Sequence, residues 1–248
     1  ERTPVYYPGR FRVAPRLRDA TADGGHAGNA RHSGYLAGYL GRRPVTTGKF
    51  ITFEGGEGGG KSTQLALLAK ALEDAGIEVL TTREPGGTPG AEDIRNLLVR
   101  GTVDRWPPVA EVLLHFAARV DHVEKSILPA LESGVWVLCD RFTDSTLAYQ
   151  GGGHGLGLQR IQALKEDILG DFQPDLTLIL DVPVEEGLAR AFGRAGTEDR
   201  YERMDLGFHT RIRDTFLTIA EAEPGRCAVV DATGTVDDVQ REICAAVS

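Results

Sequence analysis

The stretch Gly55-Gly-Glu-Gly-Gly-Gly-Lys-Ser62 fits the pattern G-x-x-x-x-G-K-[ST]. It follows a short apolar run, Lys49-Phe-Ile-Thr-Phe-Glu54, and opens a segment from Lys61 to Ala75 that reads as a helix ended by Gly76. A strand, a glycine loop and a helix in that order give the pattern its physical meaning. The glycines let the backbone curl so that its N–H groups point at a phosphate. The helix adds the positive end of its dipole. Lys61 supplies a charge for β- and γ-phosphates, and Ser62 offers a hydroxyl to Mg²⁺. Gly55, Gly56, Glu57, Gly58, Gly59, Gly60 and Thr63 complete the candidate phosphate-binding set. A flexible glycine-rich loop matching by chance would lack these flanks.

The loop also constrains the rest of the chain. Further strand-like runs occur at Glu78–Thr82, Val135–Cys139, Leu176–Leu180 and Ala228–Val230. Helical patterns cover Ala91–Val99, Val109–Glu132 (interrupted near Pro129), Leu158–Leu169, Val184–Phe192, Leu206–Ala222 and Val236–Val247. The strands are continuous apolar runs rather than alternating ones. That predicts an α/β fold of the P-loop NTPase kind, a five-stranded parallel sheet with helices on both faces.

Composition divides the chain. Residues 1–48 hold eight Arg, no Lys and three acids (Glu1, Asp19, Asp23), with eight Gly and four Pro. That segment carries +5 against a total of −8, so residues 49–248 carry −13. Its scattered Tyr6, Tyr7, Phe11, Tyr35 and Tyr39 offer too little apolar surface to offset chain entropy, which predicts a disordered basic extension. It lacks the apolar stretch of a secretory signal and the Ser-rich amphipathic helix of a transit peptide. The only methionine is Met204, and the working protein is expected to begin near Val45 from a non-AUG start. Residues 49–248 are expected to form the catalytic domain. The acidic balance argues against a nucleic-acid partner. No apolar run has the roughly 18–20 residues of a membrane span. Three cysteines, Cys139, Cys227 and Cys244, fit neither a metal spacing nor a disulfide framework, which points to a reducing cytoplasm.

A phosphate loop names a nucleotide, not a reaction. A GTPase needs N-K-x-D, yet Asn29 and Asn96 are the only asparagines and neither begins it. The D-x-x-G matches at Asp167–Gly170 and Asp231–Gly234 fall at a helix end and after the last strand. Transfer between two substrates is the favoured chemistry.

Several blocks then appear in a fixed order. They are Phe53-Glu-Gly-Gly-Glu-Gly-Gly-Gly-Lys-Ser-Thr63, Thr82-Arg-Glu-Pro-Gly-Gly-Thr88, Phe116-Ala-Ala-Arg119, Asp140-Arg141 with Ser145 to Gln150, and Asp199-Arg-Tyr-Glu202. Together they make the chain resemble the thymidylate kinase family over Lys49 to about Val247. The resemblance implies an ATP-dependent phosphotransferase that converts dTMP to dTDP and so feeds dTTP synthesis, in the cytoplasm, with Mg²⁺ and as a homodimer through helices that include 109–132.

The resemblance also implies roles. Glu57 faces the sugar of the acceptor nucleotide, where a carboxylate accepts a hydroxyl hydrogen bond well. Arg83 belongs to the acceptor site, and Arg95 grips the dTMP phosphate as a planar donor. An aromatic four residues before Arg119 stacks on thymine while the arginine bonds a base carbonyl. That position holds His115 here, with Phe116 beside it, so either ring is a candidate; core packing for Phe116 and a surface place for His115 is the alternative. Asp140 attends the Mg²⁺ shell. Arg141 spans the two substrates' phosphates. Tyr149 crowds the 2′ position, Gln150 suits the thymine edge, and Ser145 and Thr146 line the pocket; a helix cap is the bland reading of Ser145. Arg190, Arg194, Arg200 and Arg203 resemble the basic lid of the bacterial subtype, about residues 190–204, with Arg194 and then Arg190 as the transition-state contact. Asp231-Ala-Thr233 falls where the adenine is expected. A kinase for another nucleotide and a non-catalytic nucleotide-binding protein are the competing readings.

Overall fold

The computed structural model describes residues 48–192 and 200–247. The basic extension, the expected start near Val45, and the centre of the expected lid with Arg194 lie outside the described residues.

Five strands form one sheet: β1 (Phe50–Glu54), β2 (Val79–Arg83), β3 (Trp136–Asp140), β4 (Leu176–Asp181) and β5 (Cys227–Asp231). Their order is β2-β3-β1-β4-β5 and every pairing is parallel. The expectation from the apolar runs therefore holds. All five residues of β1 are buried because the strand is covered on both faces. Phe50 packs with Val137, Cys139, Phe116 and Ile127 on one side. Ile51 and Phe53 pack on the other with Leu138, Leu178, Leu65, Leu68 and Ile243. Side chains alternate along a strand, so Thr52 and Glu54 share the face of Phe50. Thr52 Oγ1 meets Thr177 Oγ1 at 2.9 Å, which satisfies both buried hydroxyls.

The helices that cover the sheet are α1 (Lys61–Asp74), α2 (Pro89–Leu98), α3 (Pro108–His122), α4 (Leu128–Glu132), α5 (Thr143–Thr146), α6 (Leu158–Leu169), α7 (Val184–Phe192), α8 (Leu206–Ala222) and α9 (Val236–Val247). Caps explain several starts. Thr88 accepts from Ala91 N ahead of Pro89, and Asp205 accepts from Phe208 N at 2.7 Å. The long 109–132 segment breaks earlier than expected, through a π-helical turn at Val123–Ile127 between α3 and α4. Pro129 has no N–H to give to the preceding turn, so that turn widens and Leu128 N reaches Val123 O. A second π-helical stretch, Leu147–Gly153, continues α5. No helical period marked it, because it is short and ends in three glycines.

Phe53, the penultimate residue of β1, registers with Asp140 at the end of β3, which registers with Arg83 at the end of β2, so those three carboxyl ends lie nearly level, while β4 runs two residues further. The strand order reverses direction around β1, and ligands in open α/β sheets bind at such a point. Leu138 is fully buried in the interior strand β3, between β2 and β1. Leu138→Ala is expected to destabilise the fold by about 2–5 kcal/mol in urea titration. A loss below about 1 kcal/mol would contradict burial on both faces.

Candidate active site

The phosphate loop crosses the carboxyl end of β1. Gly58 has φ 69°, and a Cβ there would lie 1.9 Å from Gly187 O on α7. At Gly55 a Cβ would lie 2.4 Å from Leu180 O. Only glycine allows such backbone approaches. Helix α1 follows Gly60 with no side-chain cap, so the positive end of its dipole faces the loop without a competing side chain. Lys61 Nζ folds back onto Gly56 O at 2.7 Å and Gly55 O at 3.2 Å. Burial and then the charge of Arg141 lower its pKa to about 8, against the pull of Glu57, Asp140 and Glu54. An arriving polyphosphate would favour the charged form. Beside it Ser62 Oγ donates to Asp140 Oδ2 at 2.7 Å. Thr63 lies exposed in the first turn of α1.

Arg141 stands at the centre. It is the one non-glycine residue with positive φ, 73°, among the described residues. Its guanidinium donates to Gly55 O (3.1 Å), Ser145 Oγ (3.2 Å) and Glu57 Oε1 (3.2 Å), and lies 4.9 Å from the centre of the Tyr149 ring. Tyr149 OH also donates to Glu57 Oε1 at 2.6 Å. Burial alone would raise the Glu57 pKa, but Arg141, Lys61 and the Tyr149 bond hold it at about 2. Glu57 is thus ionised and faces two cations, which accounts for an acid in a loop made for polyanions.

Glu54, which sequence reasoning passed over as the end of a strand, fixes this geometry. It is fully buried. Its carboxyl accepts from Phe142 N (2.7 Å), Ser145 N (3.3 Å) and Ser145 Oγ (2.5 Å). Those bonds bracket Arg141 and hold the turn that carries it. Burial, then the carboxylate of Asp144, push Glu54 up to about 7, against Ser145, Arg141 and Phe142. Asp144 is itself clamped by Arg226 at 2.7 Å.

Next to this cluster lies a partly open cavity. Its walls include Glu57, Glu84, Arg95, His115, Arg119, Arg141, Ser145, Tyr149, Gln150 and Tyr201. The structure thereby gathers seven sequence-predicted acceptor residues: Glu57, Arg95, His115, Arg119, Ser145, Tyr149 and Gln150. Three others stand apart. Phe116 packs in the core, because it lies about 100° round α3 from His115. Thr146 Oγ1 accepts from Arg119 Nη2 at 3.1 Å behind the cavity wall. Arg83 pairs with Glu92 at 3.0 Å on the surface.

Two buried carboxylates organise the cavity, and neither was singled out in the sequence. Glu84 binds Arg119 Nε at 2.7 Å and His122 Nδ1 at 3.1 Å. Glu111 accepts from Gln150 Nε2 at 2.7 Å and pairs with Arg200 Nη2 at 2.5 Å. Arg119 was visible in the sequence, and a buried arginine requires a carboxylate partner, but its identity depends on tertiary contact. Arg95 Nη1 donates to Pro85 O at 2.8 Å. His115 Nε2 lies 3.1 Å from Tyr201 OH, and burial lowers its pKa to about 4, which leaves a neutral ring.

The described lid arginines do not cluster. Arg190 joins Glu186 and Ala232 O, at 2.5 and 2.9 Å, between α7 and the turn after β5. Arg200 is fully buried and donates to the carbonyls of Thr102, Leu98 and Val103. Arg203 donates to Gly101 O. The last two tie residues 200–203 to the end of α2 and the loop after it. Asp231 is occupied within its own turn, accepting from Thr233 N and Oγ1.

The raised Glu54 pKa has a thermodynamic sign. An unfolded glutamate titrates near 4.5, so the stabilising protonated contribution is complete below that pH and lost as pH rises through about 7. Wild type is expected to lose on the order of 1–3 kcal/mol relative to Glu54→Gln between pH 4.5 and 7.5 in parallel denaturation curves. Parallel pH dependences would contradict this.

The sequence profile of the family described as thymidylate kinase matches residues 53–243. A thymidylate kinase of Caulobacter vibrioides is 55% identical over 199 residues, covering 80% of this chain and 95% of that protein. One from Afipia carboxidovorans is 56% identical over 198 residues, covering 79% and 87%. The crystal structure of thymidylate kinase from Ehrlichia chaffeensis superposes with a TM-score of 0.67 at 37% identity, covering 81% of this chain and 98% of that one. The glycine loop, Arg141 and the cavity beside them all lie within the matched span, and the chain belongs to the thymidylate kinase family.

Proposed function

We propose that the cleft transfers the terminal phosphoryl group of ATP to the phosphate of dTMP, giving ADP and dTDP. One observation carries the choice of base. The buried polar atoms on cavity residues that lack a hydrogen-bond partner include a donor beside an acceptor, Arg119 Nη1 and Gln150 Oε1. One gives a hydrogen and the other takes one. Thymine carries a carbonyl beside an N–H, which is the complement. A base with the reverse order would leave both protein atoms buried and unpaired. His115 lines the same cavity and Phe116 does not, which supports His115 as the ring against the base.

The reaction asks the protein for alignment and charge neutralisation rather than covalent chemistry. The first turn of α1 and Lys61 hold the ATP phosphates. Arg95 faces the acceptor phosphate, and Arg141 lies between the two halves. Tyr149 occupies the sugar side beside Glu57. No general base is required, because the acceptor phosphate is already ionised near neutral pH. Arg194 is the first candidate for a transition-state contact from the lid. Arg190 is the second, although its bond to Ala232 O draws it toward the turn after β5. Lid closure would exclude water from a site where hydrolysis competes with transfer.

The oxygen donors Ser62 Oγ and Asp140 Oδ2, 2.7 Å apart beside Lys61, suit a hard divalent cation completed by water and phosphate oxygens. Mg²⁺ held there would draw charge off the phosphates. The exposed apolar Leu97, Val109 and Leu113 on α2 and α3 favour a homodimer through these helices. The three cysteines are free, which suits a cytoplasmic setting. No helix among the described residues is long and apolar enough to cross a membrane. The net charge of −8 favours small substrates over nucleic acid.

A coupled ADP-release assay tests the proposal. dTMP-dependent release is expected from the full chain and equally from a form beginning at Val45. Lys61→Ala is expected to lower the rate by about 100- to 1000-fold. Equal rates with dTMP, dCMP and UMP would contradict the thymidylate reading, and nucleotide binding without ADP formation would favour a non-catalytic protein.

A further inference from the structure

Gln150 can present either end of its amide to a ligand, and the two ends ask for opposite partners. Its Nε2 donates to Glu111 Oε1 at 2.7 Å, and its Oε1 is buried without a partner. Glu111 is fully buried near the start of α3. Arg200 Nη2 lies 2.5 Å from its Oε2, and His154 Nε2 lies 3.3 Å from its Oε1. Arg200 is in turn fixed by three backbone carbonyls of residues 98–103. Burial would raise the Glu111 pKa, but His154, His115, Gln150 and Arg200 keep it at about 2. An ionised carboxylate has only lone pairs to offer, so it must meet the NH₂ end of the amide.

We infer that Glu111 is a positioning residue for base selection: it locks the Gln150 amide so that the cavity offers an acceptor beside the donor Arg119 Nη1. This inference rests on the dTMP reading and deepens it. A pyrimidine with a protonated N3 beside a carbonyl satisfies that pair. A pyrimidine with an unprotonated N3 beside an amino group opposes it. The selecting element is thus one residue removed from the ligand. Neither the charge of Glu111 nor its helix position announces the role, because a glutamate near the start of a helix is ordinary.

Glu111→Gln keeps the shape but replaces the carboxylate with a group that either gives or accepts a hydrogen, so the Gln150 amide is free to turn over. The kcat/KM ratio for dTMP over dCMP is expected to fall by about tenfold or more, with kcat at saturating dTMP held within about threefold. Gln150→Leu is expected to lower the same ratio, and the double variant to fall no further than Gln150→Leu alone. A merely structural role for Glu111 would slow both substrates together and leave the ratio unchanged, and that result would overturn the inference. If Glu111→Gln does not fold, Gln150→Leu decides: an unchanged ratio overturns the inference. Wild-type enzyme that shows no preference for dTMP defeats the underlying reading instead, so the two failures are distinguishable.

Discussion

Guanidinium groups in and beside one cavity repel one another, and here carboxylates hold them in place. Glu57 holds Arg141, Glu84 holds Arg119 and Glu111 holds Arg200. In the two fully buried pairs, Glu84–Arg119 and Glu111–Arg200, removing one partner leaves a buried charge uncompensated and costs about 3–5 kcal/mol. The pairs therefore fix geometry more than they add net stability. Their consequence for function is that the donors stand in place before substrate binds, so little reorganisation remains for the reacting complex.

The sheet makes these pairings possible. Level strand ends bring Glu54, Asp140 and Arg83 to one rim. Arg141 leaves β3 with positive φ, and Glu54 secures the turn through two backbone N–H groups and a hydroxyl. Strain of that kind in a non-glycine residue persists only where its surroundings over-determine it. On the opposite side, Gly58 lets the phosphate loop rest on Gly187. The loop is thus braced between a helix backbone and a guanidinium before any nucleotide enters.

Much of this was legible in the sequence, for reasons particular to each element. The glycine loop carries its own backbone signature, and two-sided burial made the interior strands β1, β3 and β4 readable as continuous apolar runs. The carboxylates were less visible. Glu84 and Glu111 have the local look of solvated acids, and only contacts across 35 and 39 residues make them partners of Arg119 and Gln150. Residue type alone left His115 and Phe116 open, and one step of helical rotation placed one ring in the cavity and the other in the core. Arg200 read as part of a mobile lid, yet its donors are used by the backbone of residues 98–103.

The central claim is that an ionised, cation-paired Glu57 preorganises the cleft. Its carboxyl pKa is directly measurable by carbon-detected NMR titration of the full chain. The account requires a value far below the ordinary 4.5, near 2, so that the signal stays constant from neutral pH down to the acid limit of folding. A Glu57 carboxyl that titrates at 4.5 or above would show that Arg141 and Lys61 do not hold it, and would contradict the account.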